Sequence, residues 1–262
     1  MWWLIPVLPV LLLLVHLAKM ARLYLVLMEH KINFKRFLLL YCKTTLVNLV
    51  IPYKIGELYR VFKIGRETRH WQVGILSVII DRFFDVLALF LLLASVDVVF
   101  KQRISAITGI FFVALAIVTV IYMVISPTYT YLNKYLIVHK QSGRSMLALK
   151  GLEFVRAWYD FSTDLIRGRF ALITISSLAG WVFEVLLLKC LSLLWHAWEG
   201  MTFGIRDFSD YVTSIFFGGG SLLMRAYTWG TAGIFFAAVI LLQILYWIGK
   251  KHSASQRTGR HA

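Results

Sequence analysis

The chain has 262 residues, of which 60% are apolar, and a mean hydropathy of +0.75. A water-soluble domain of this length cannot hide that much apolar surface, so lipid is the solvent for most of the chain. Ten-residue alternating segments are absent, which excludes an outer-membrane barrel and leaves helices. The net charge of +15 does not point to nucleic acid. Lys and Arg sit in short loops between apolar runs and in the C-terminal tail, where contact with anionic headgroups and positive-inside topology put them.

In chain order, the first predicted span covers roughly 3–27, starting almost at Met1 and continuing past Lys19 and Arg22 to about Met28. It has no basic n-region and no small-residue cleavage site, so it is not expected to be a removable signal peptide. A shorter apolar stretch, 34–53, ends in Val50-Ile51-Pro52-Tyr53-Lys54-Ile55-Gly56, where Pro and Gly predict a break. Two further spans are predicted at 73–100 and 105–126. Residues 127–169 are polar and basic, and within them Leu149, Leu152, Val155, Trp158, Phe161 and Leu165 recur at near-helical spacing. That pattern predicts an amphipathic helix from Met146 to Arg167 lying on the membrane surface. A fourth span is expected at 170–198 and a fifth at 226–249. Between them lies an interrupted stretch, 209–224, that contains Gly218-Gly219-Gly220. The expected fold is an all-α, polytopic membrane protein forming a single membrane domain over 1–262. It has about five spanning helices, two broken re-entrant hairpins, one interfacial helix and a basic cytoplasmic tail at 250–262. The abundant Trp and Tyr fit anchors at the headgroup level.

Charge sets the expected orientation. The 29–36 turn carries three basic residues against one acid, 54–70 five against two, 127–169 seven against three, and 250–262 four against none. By contrast, 199–210 has one basic residue and three acids. Basic loops stay cytoplasmic. The 34–53 stretch is therefore expected to enter and return on the cytoplasmic side, and 209–224 to dip in from outside. The N-terminus is then outside and the C-terminus cytoplasmic. Non-helical backbone at membrane depth is tolerated where it lines a cavity or is buried in protein, and paired interrupted segments point to a transporter's substrate site.

Two constellations could bind substrate. In the first, Asn48, Pro52, Gly56, Glu57 and Arg60, the proline breaks a helix and the glycine permits close approach. Glu57 and Arg60 share a face if a helix restarts there, and its N-terminus offers N–H groups to a phosphate. The alternative is a cytoplasmic loop with a solvated Glu57–Arg60 pair. The second is Asp81-Arg82-Phe83-Phe84-Asp85, near mid-depth of its span, where charges must face the bundle interior and neutralise one another. Arg82 is expected either to meet an anionic headgroup or to form a buried structural pair with Asp85. Glu184 and Lys189, too poorly spaced to pair, should each find a partner on another helix. Arg225 could be an outer-leaflet counterpart. His16 and His30 have no partners at metal-ligand spacing and are expected to pack. Cys42 and Cys190 read as small buried hydrophobes, with no disulfide framework and no metal site. No nucleophile elbow, zinc-protease motif, P-loop or dinucleotide fingerprint occurs, so no catalytic residue is assigned.

Over about Arg22 to Leu93 the sequence resembles the transmembrane-region family of lysylphosphatidylglycerol synthases, a flippase-type module also found without its synthase domain. The resemblance rests on Asn48, Pro52, Gly56, Glu57 and Arg60, followed by Asp81-Arg82-x2-Asp85, with Asp where the family has its first Glu. The region of Trp181 and Glu184 is compatible with a later family helix. In two respects the sequence departs from the family. A helix that usually precedes this first one is expected to be missing, and Phe217-Gly218-Gly219-Gly220 keeps the later hairpin's glycines without its Pro and Glu. A divergent or shortened member is therefore expected. The resemblance implies transfer of a phospholipid or lipid-linked headgroup between the leaflets of a plasma membrane, with membrane lipids as partners and no cofactor. The alternatives are a non-catalytic membrane subunit or scaffold for a lipid- or glycan-modifying enzyme, and a membrane-embedded transferase using the buried carboxylates. In the flippase reading, the headgroup passes along a groove between the two hairpins, with Glu57, Arg60, Arg82 and Asp85 lining its cytoplasmic half.

Overall fold

A computed structural model describes residues 4–30, 32–51, 55–139, 143–194, 202–217 and 222–258. Among these residues it has nine α-helices and no strand: α1 (Leu4–Leu27), α2 (Phe34–Val50), α3 (Ile55–Thr68), α4 (Trp71–Val96), α5 (Ala106–His139), α6 (Gly143–Ile166), α7 (Phe170–Leu194), α8 (Phe208–Phe217) and α9 (Leu222–Thr258). Five stretches are long and apolar enough to cross a bilayer: Leu4–His30, Trp71–Lys101, Ala106–Val138, Phe170–Leu194 and Leu222–Leu245. They are the five expected spans. Large apolar side chains stay exposed along them, as on α5 at Ile110, Phe112, Val113, Ile117, Val120 and Met123. Lipid supplies the apolar environment that a soluble core would otherwise have to provide.

The chain packs as two units, one comprising 1–29 and 79–219 and the other 30–78 and 220–262. In the first, α1 lies antiparallel along α7. The register is fixed at one end by Arg169, whose Nη2 reaches Glu29 Oε1 at 2.8 Å and whose Nη1 donates to the Leu25 carbonyl at 3.3 Å. Farther along, Gly180 faces Ala18. Phe84, fully buried on α4, stacks edge-on against Phe170 at 5.1 Å. At the far end of α4 a π-turn over Asp97–Lys101 leads into Gln102, at φ 54°. Asp97 closes that turn by accepting from Ser105 N at 2.8 Å, Ser105 Oγ at 2.6 Å and Thr108 Oγ1 at 2.6 Å.

Two boundaries differ from the sequence reading. Helix α5 does not stop at 126 but runs through Pro127 to His139. With 34 residues it is about 50 Å long, against a hydrocarbon core of about 30 Å. Proline is tolerated within such helices because neighbouring groups re-satisfy the backbone it frees. Helix α6 then folds back on α5, with the Tyr122 and Thr163 hydroxyls 2.6 Å apart and Arg156 Nη1 donating to Ser126 Oγ at 2.9 Å. Its apolar Met146, Leu147, Phe154 and Val155 remain exposed. The last span begins at Leu222 rather than 226, leaving the ten-residue α8 as the separate limb of the second interrupted segment. Gly218, Gly219 and Gly220 lie outside the described residues.

The second unit contains the first interrupted segment. Its first limb is an unbroken 17-residue α2 ending at Val50, and its second is the 14-residue α3 beginning at Ile55. Asn33 caps α2 by accepting from Lys35 N at 3.0 Å. Ile51 is extended, at φ −92° and ψ 120°, as a residue before proline prefers. At about 25 and 21 Å, neither limb reaches across a core of about 30 Å. At the open end of the hairpin Arg36 Nη1 lies 3.4 Å from Glu67 Oε1. Near the turn Gly56 lies against α2, where a Cβ would come within 2.6 Å of Asn48 Cα and 2.7 Å of its N. Only glycine lets the two backbones approach so closely. Helix α9 covers the other side of α2, with Tyr41 edge-on to Phe235 at 6.3 Å.

Candidate functional site

In the first unit, α1, α4, α7 and α8 bring charged and polar side chains together inside an otherwise apolar bundle. Its centre is Arg22, with 4% of its side chain exposed. Arg22 Nε lies 2.6 Å from Asp81 Oδ1, and its Nη1 lies 2.6 Å from Asp85 Oδ1 and 3.2 Å from Ser177 Oγ. Trp181 donates its indole N–H to the same Asp85 oxygen at 3.0 Å. The spacing of the two aspartates, one helical turn apart on α4, lets one guanidinium fork bridge both. At such depth an unpaired charge costs several kcal/mol, so this pairing is what permits three ionised groups to be buried together.

Arg82 stands differently. It reaches the other Asp85 oxygen, Oδ2, at 3.3 Å, and 43% of its side chain is exposed. The sequence suggested that Arg82 faces the interior as the cation neutralising Asp85. Instead Arg22 fills that place, because the antiparallel register of α1 and α7 carries Arg22 to the level of Ser177. Asp81 and Asp85 are buried as expected.

A second ion pair follows along α7. Lys19 Nζ donates to Glu184 Oε2 at 2.6 Å, and Tyr211 of α8 donates to Glu184 Oε1 at 2.9 Å. Glu184 is buried, with 5% of its side chain exposed, whereas Lys19 keeps 27% exposed. Lys19 Nζ also lies 5.3 Å from the centroid of the Trp181 ring. Glu184 thus finds its partners on other helices. Lys189 instead donates to the Phe203 carbonyl at 3.0 Å, in the connection before α8.

The first constellation belongs to the second unit. Asn48 and Gly56 meet across the α2–α3 turn, and Pro52 lies outside the described residues. Arg60 is buried and Glu57 half-buried. Arg225 is exposed on the first turn of α9. The sequence reading missed Arg22 and Lys19 as site residues. Their signal was present as two basic residues three apart inside a long apolar run, the same signal that singled out Asp81 and Asp85.

Five apolar spans define a multi-pass membrane protein, and within its first unit a cluster of paired charges forms a buried polar site. The profile of the lysylphosphatidylglycerol synthase TM region matches residues 1–197, and the chain belongs to that family. The match takes in every member of the charge cluster except Tyr211. Comparison with curated proteins and with solved structures gives no match.

Proposed function

We propose that the protein moves a phospholipid or lipid-linked headgroup, anionic or zwitterionic, between the leaflets of a plasma membrane. Membership of a family of lipid-handling membrane proteins supports this reading, and the observation that carries it is the division of labour between two arginines. Arg22 neutralises the buried aspartates. Arg82, with 43% of its side chain exposed, meets the same cluster through the Asp85 oxygen that Arg22 Nη1 does not take. A guanidinium so held can exchange its carboxylate partner for a phosphate without stranding a charge in the bundle, because Asp85 keeps Arg22 and Trp181. Acyl chains stay in lipid while the headgroup passes.

In this reading the basic 29–36 and 54–70 segments and the basic tail face the cytoplasm and the N-terminus lies outside. The helical hairpin α2–α3 enters and leaves on the cytoplasmic side, and α6 lies at that surface.

The test is leaflet exchange of a fluorescent phosphatidylglycerol in liposomes, alongside thermal unfolding in detergent. Arg82→Ala should abolish exchange while unfolding at nearly the wild-type temperature, and Arg82→Lys should rescue only in part, since an ammonium cannot offer a two-pronged fork. Full exchange by Arg82→Ala would remove Arg82 from the path. Purification of the protein in stable complex with an enzyme, with no exchange by the protein alone, would favour the scaffold reading. A single Cys at Glu67 labelled only from outside would remove the re-entrant arrangement on the cytoplasmic side.

A further inference from the structure

The buried ion pair of Lys19 and Glu184 repeats the architecture of the Arg82–Asp85 pair. In each, a buried carboxylate also accepts from a neutral donor, the Trp181 indole on Asp85 and the Tyr211 hydroxyl on Glu184, and Asp85 has Arg22 as a second cation besides. In each, the cation in front keeps a substantial part of its side chain exposed. Trp181 joins the two, its N–H on Asp85 and its ring face 5.3 Å from Lys19 Nζ. A cation that keeps part of its surface exposed can meet a second anion without its whole pair first being opened.

We propose that Lys19 is a second station for the phosphodiester anion of a lipid headgroup, the next stop after Arg82. This rests on the transport reading above. The carboxylate under each cation sets the residence time. A lone buried cation would trap the anion, whereas a cation already shared with Glu184 or Asp85 binds it weakly and releases it, the condition for passage through several sites. Passage is then an exchange of partners: the anion takes Lys19 from Glu184, Tyr211 steadies the released carboxylate, and the pair re-forms when the anion leaves.

The experiment measures binding of dihexanoyl phosphatidylglycerol to detergent-solubilised full-length protein, together with leaflet exchange in liposomes. Glu184→Gln removes the competing carboxylate and leaves Lys19 charged. It should bind the short-chain lipid several-fold more tightly yet exchange lipid more slowly. A purely structural pair gives the opposite: lower stability with unchanged or weaker binding, which would overturn the station. Lys19→Gln combined with Glu184→Gln leaves no unpaired charge and should fold. Loss of one charge-assisted contact makes its exchange about tenfold slower, with the half-saturating lipid fraction unchanged because Arg82 still admits the headgroup. Wild-type exchange in this double variant would also overturn the proposal. Glycerol 1-phosphate serves as the probe without acyl chains. If it binds Glu184→Gln as tightly as the lipid does, the station takes soluble phosphate esters and the lipid assignment falls. If Glu184→Gln tightens lipid binding but wild-type protein moves no lipid, the transport reading fails while the binding site stands.

Discussion

The Arg22 cluster and the α2–α3 hairpin solve the same problem, holding irregular or polar structure among apolar helices, by different means. Around Arg22 the helices are tied by charge: one guanidinium bridges two aspartates at 2.6 Å each, and a serine and an indole complete the shell. In the hairpin the ties are steric. Gly56 brings α3 onto the backbone of α2 at Asn48, and Gly74 at the start of α4 lies so close to α3 that a Cβ would come within 3.0 Å of Gly65 N. The hairpin's ion pair at the rim is well exposed, Arg36 at 64%, although Arg60 is buried farther along α3. Buried charge should therefore be indispensable in the first region, whereas in the second the rim pair should be dispensable and close backbone approach indispensable.

The largest expected effect is that of Arg22→Ala. It leaves Asp81 and Asp85 buried without their main partner, a loss of about 3–5 kcal/mol. Against a total stability of about 5–15 kcal/mol this should prevent accumulation of folded protein or lower the unfolding temperature sharply in detergent. Replacing Arg22, Asp81 and Asp85 together by Met, Asn and Asn removes the three most deeply buried charges at once, leaving only the half-exposed Arg82, and should recover much of the loss. If Arg22→Ala unfolds at the wild-type temperature, the cluster is not a structural tie and the contrast between the two regions disappears.

Gly56→Ala comes next. A Cβ at this position meets backbone atoms of Asn48, which cannot rotate away, so α3 must shift off α2. Overpacking of this kind costs about 1–3 kcal/mol. The matched control is Gly151→Ala on α6, where a Cβ meets nothing within 4 Å. There the better helix propensity of alanine should stabilise by about 0.5–1 kcal/mol. Opposite signs in thermal unfolding would confirm that the hairpin depends on close backbone approach. Equal, small effects would show that the turn relaxes freely.

The contrast also explains what could be read in the sequence. Long apolar runs gave all five spans, because lipid imposes length and composition on each helix separately. The interruption between α2 and α3 was legible in Pro52 and Gly56, a residue pair that marks a break locally, and Gly56 serves to let α3 lie against Asn48. The burial of Asp81 and Asp85 followed from their position in an apolar run. Which cation would neutralise them did not, for that depends on how α1 and α7 slide past one another, and nothing local in either helix records the register. Arg82, adjacent in sequence, was the natural choice, yet Arg22, far away in the chain, takes the position. The length of α5 was missed because residues 127–169 read as one polar and basic segment, whereas the helix continues through Pro127 to His139.

The smallest expected effect belongs to Arg36 and Glu67. They meet at 3.4 Å at the open end of the hairpin, both well exposed relative to the Arg22 pair. An ion pair in that setting contributes about 0–1 kcal/mol, since water and salt screen the attraction and two flexible side chains must be ordered. Arg36→Ala, Glu67→Ala and the double variant form a cycle whose coupling should fall below about 1 kcal/mol and fade further as salt is raised. The pair's proximity matters more as geometry than as energy, because residues 36 and 67 can lie side by side only if α2 and α3 form a hairpin whose two outer ends share a level. A large coupling that survives high salt would mean the rim is sequestered from water and that charge, not Gly56, closes the hairpin. A negligible coupling, together with a destabilised Gly56→Ala, would locate the tie at the turn.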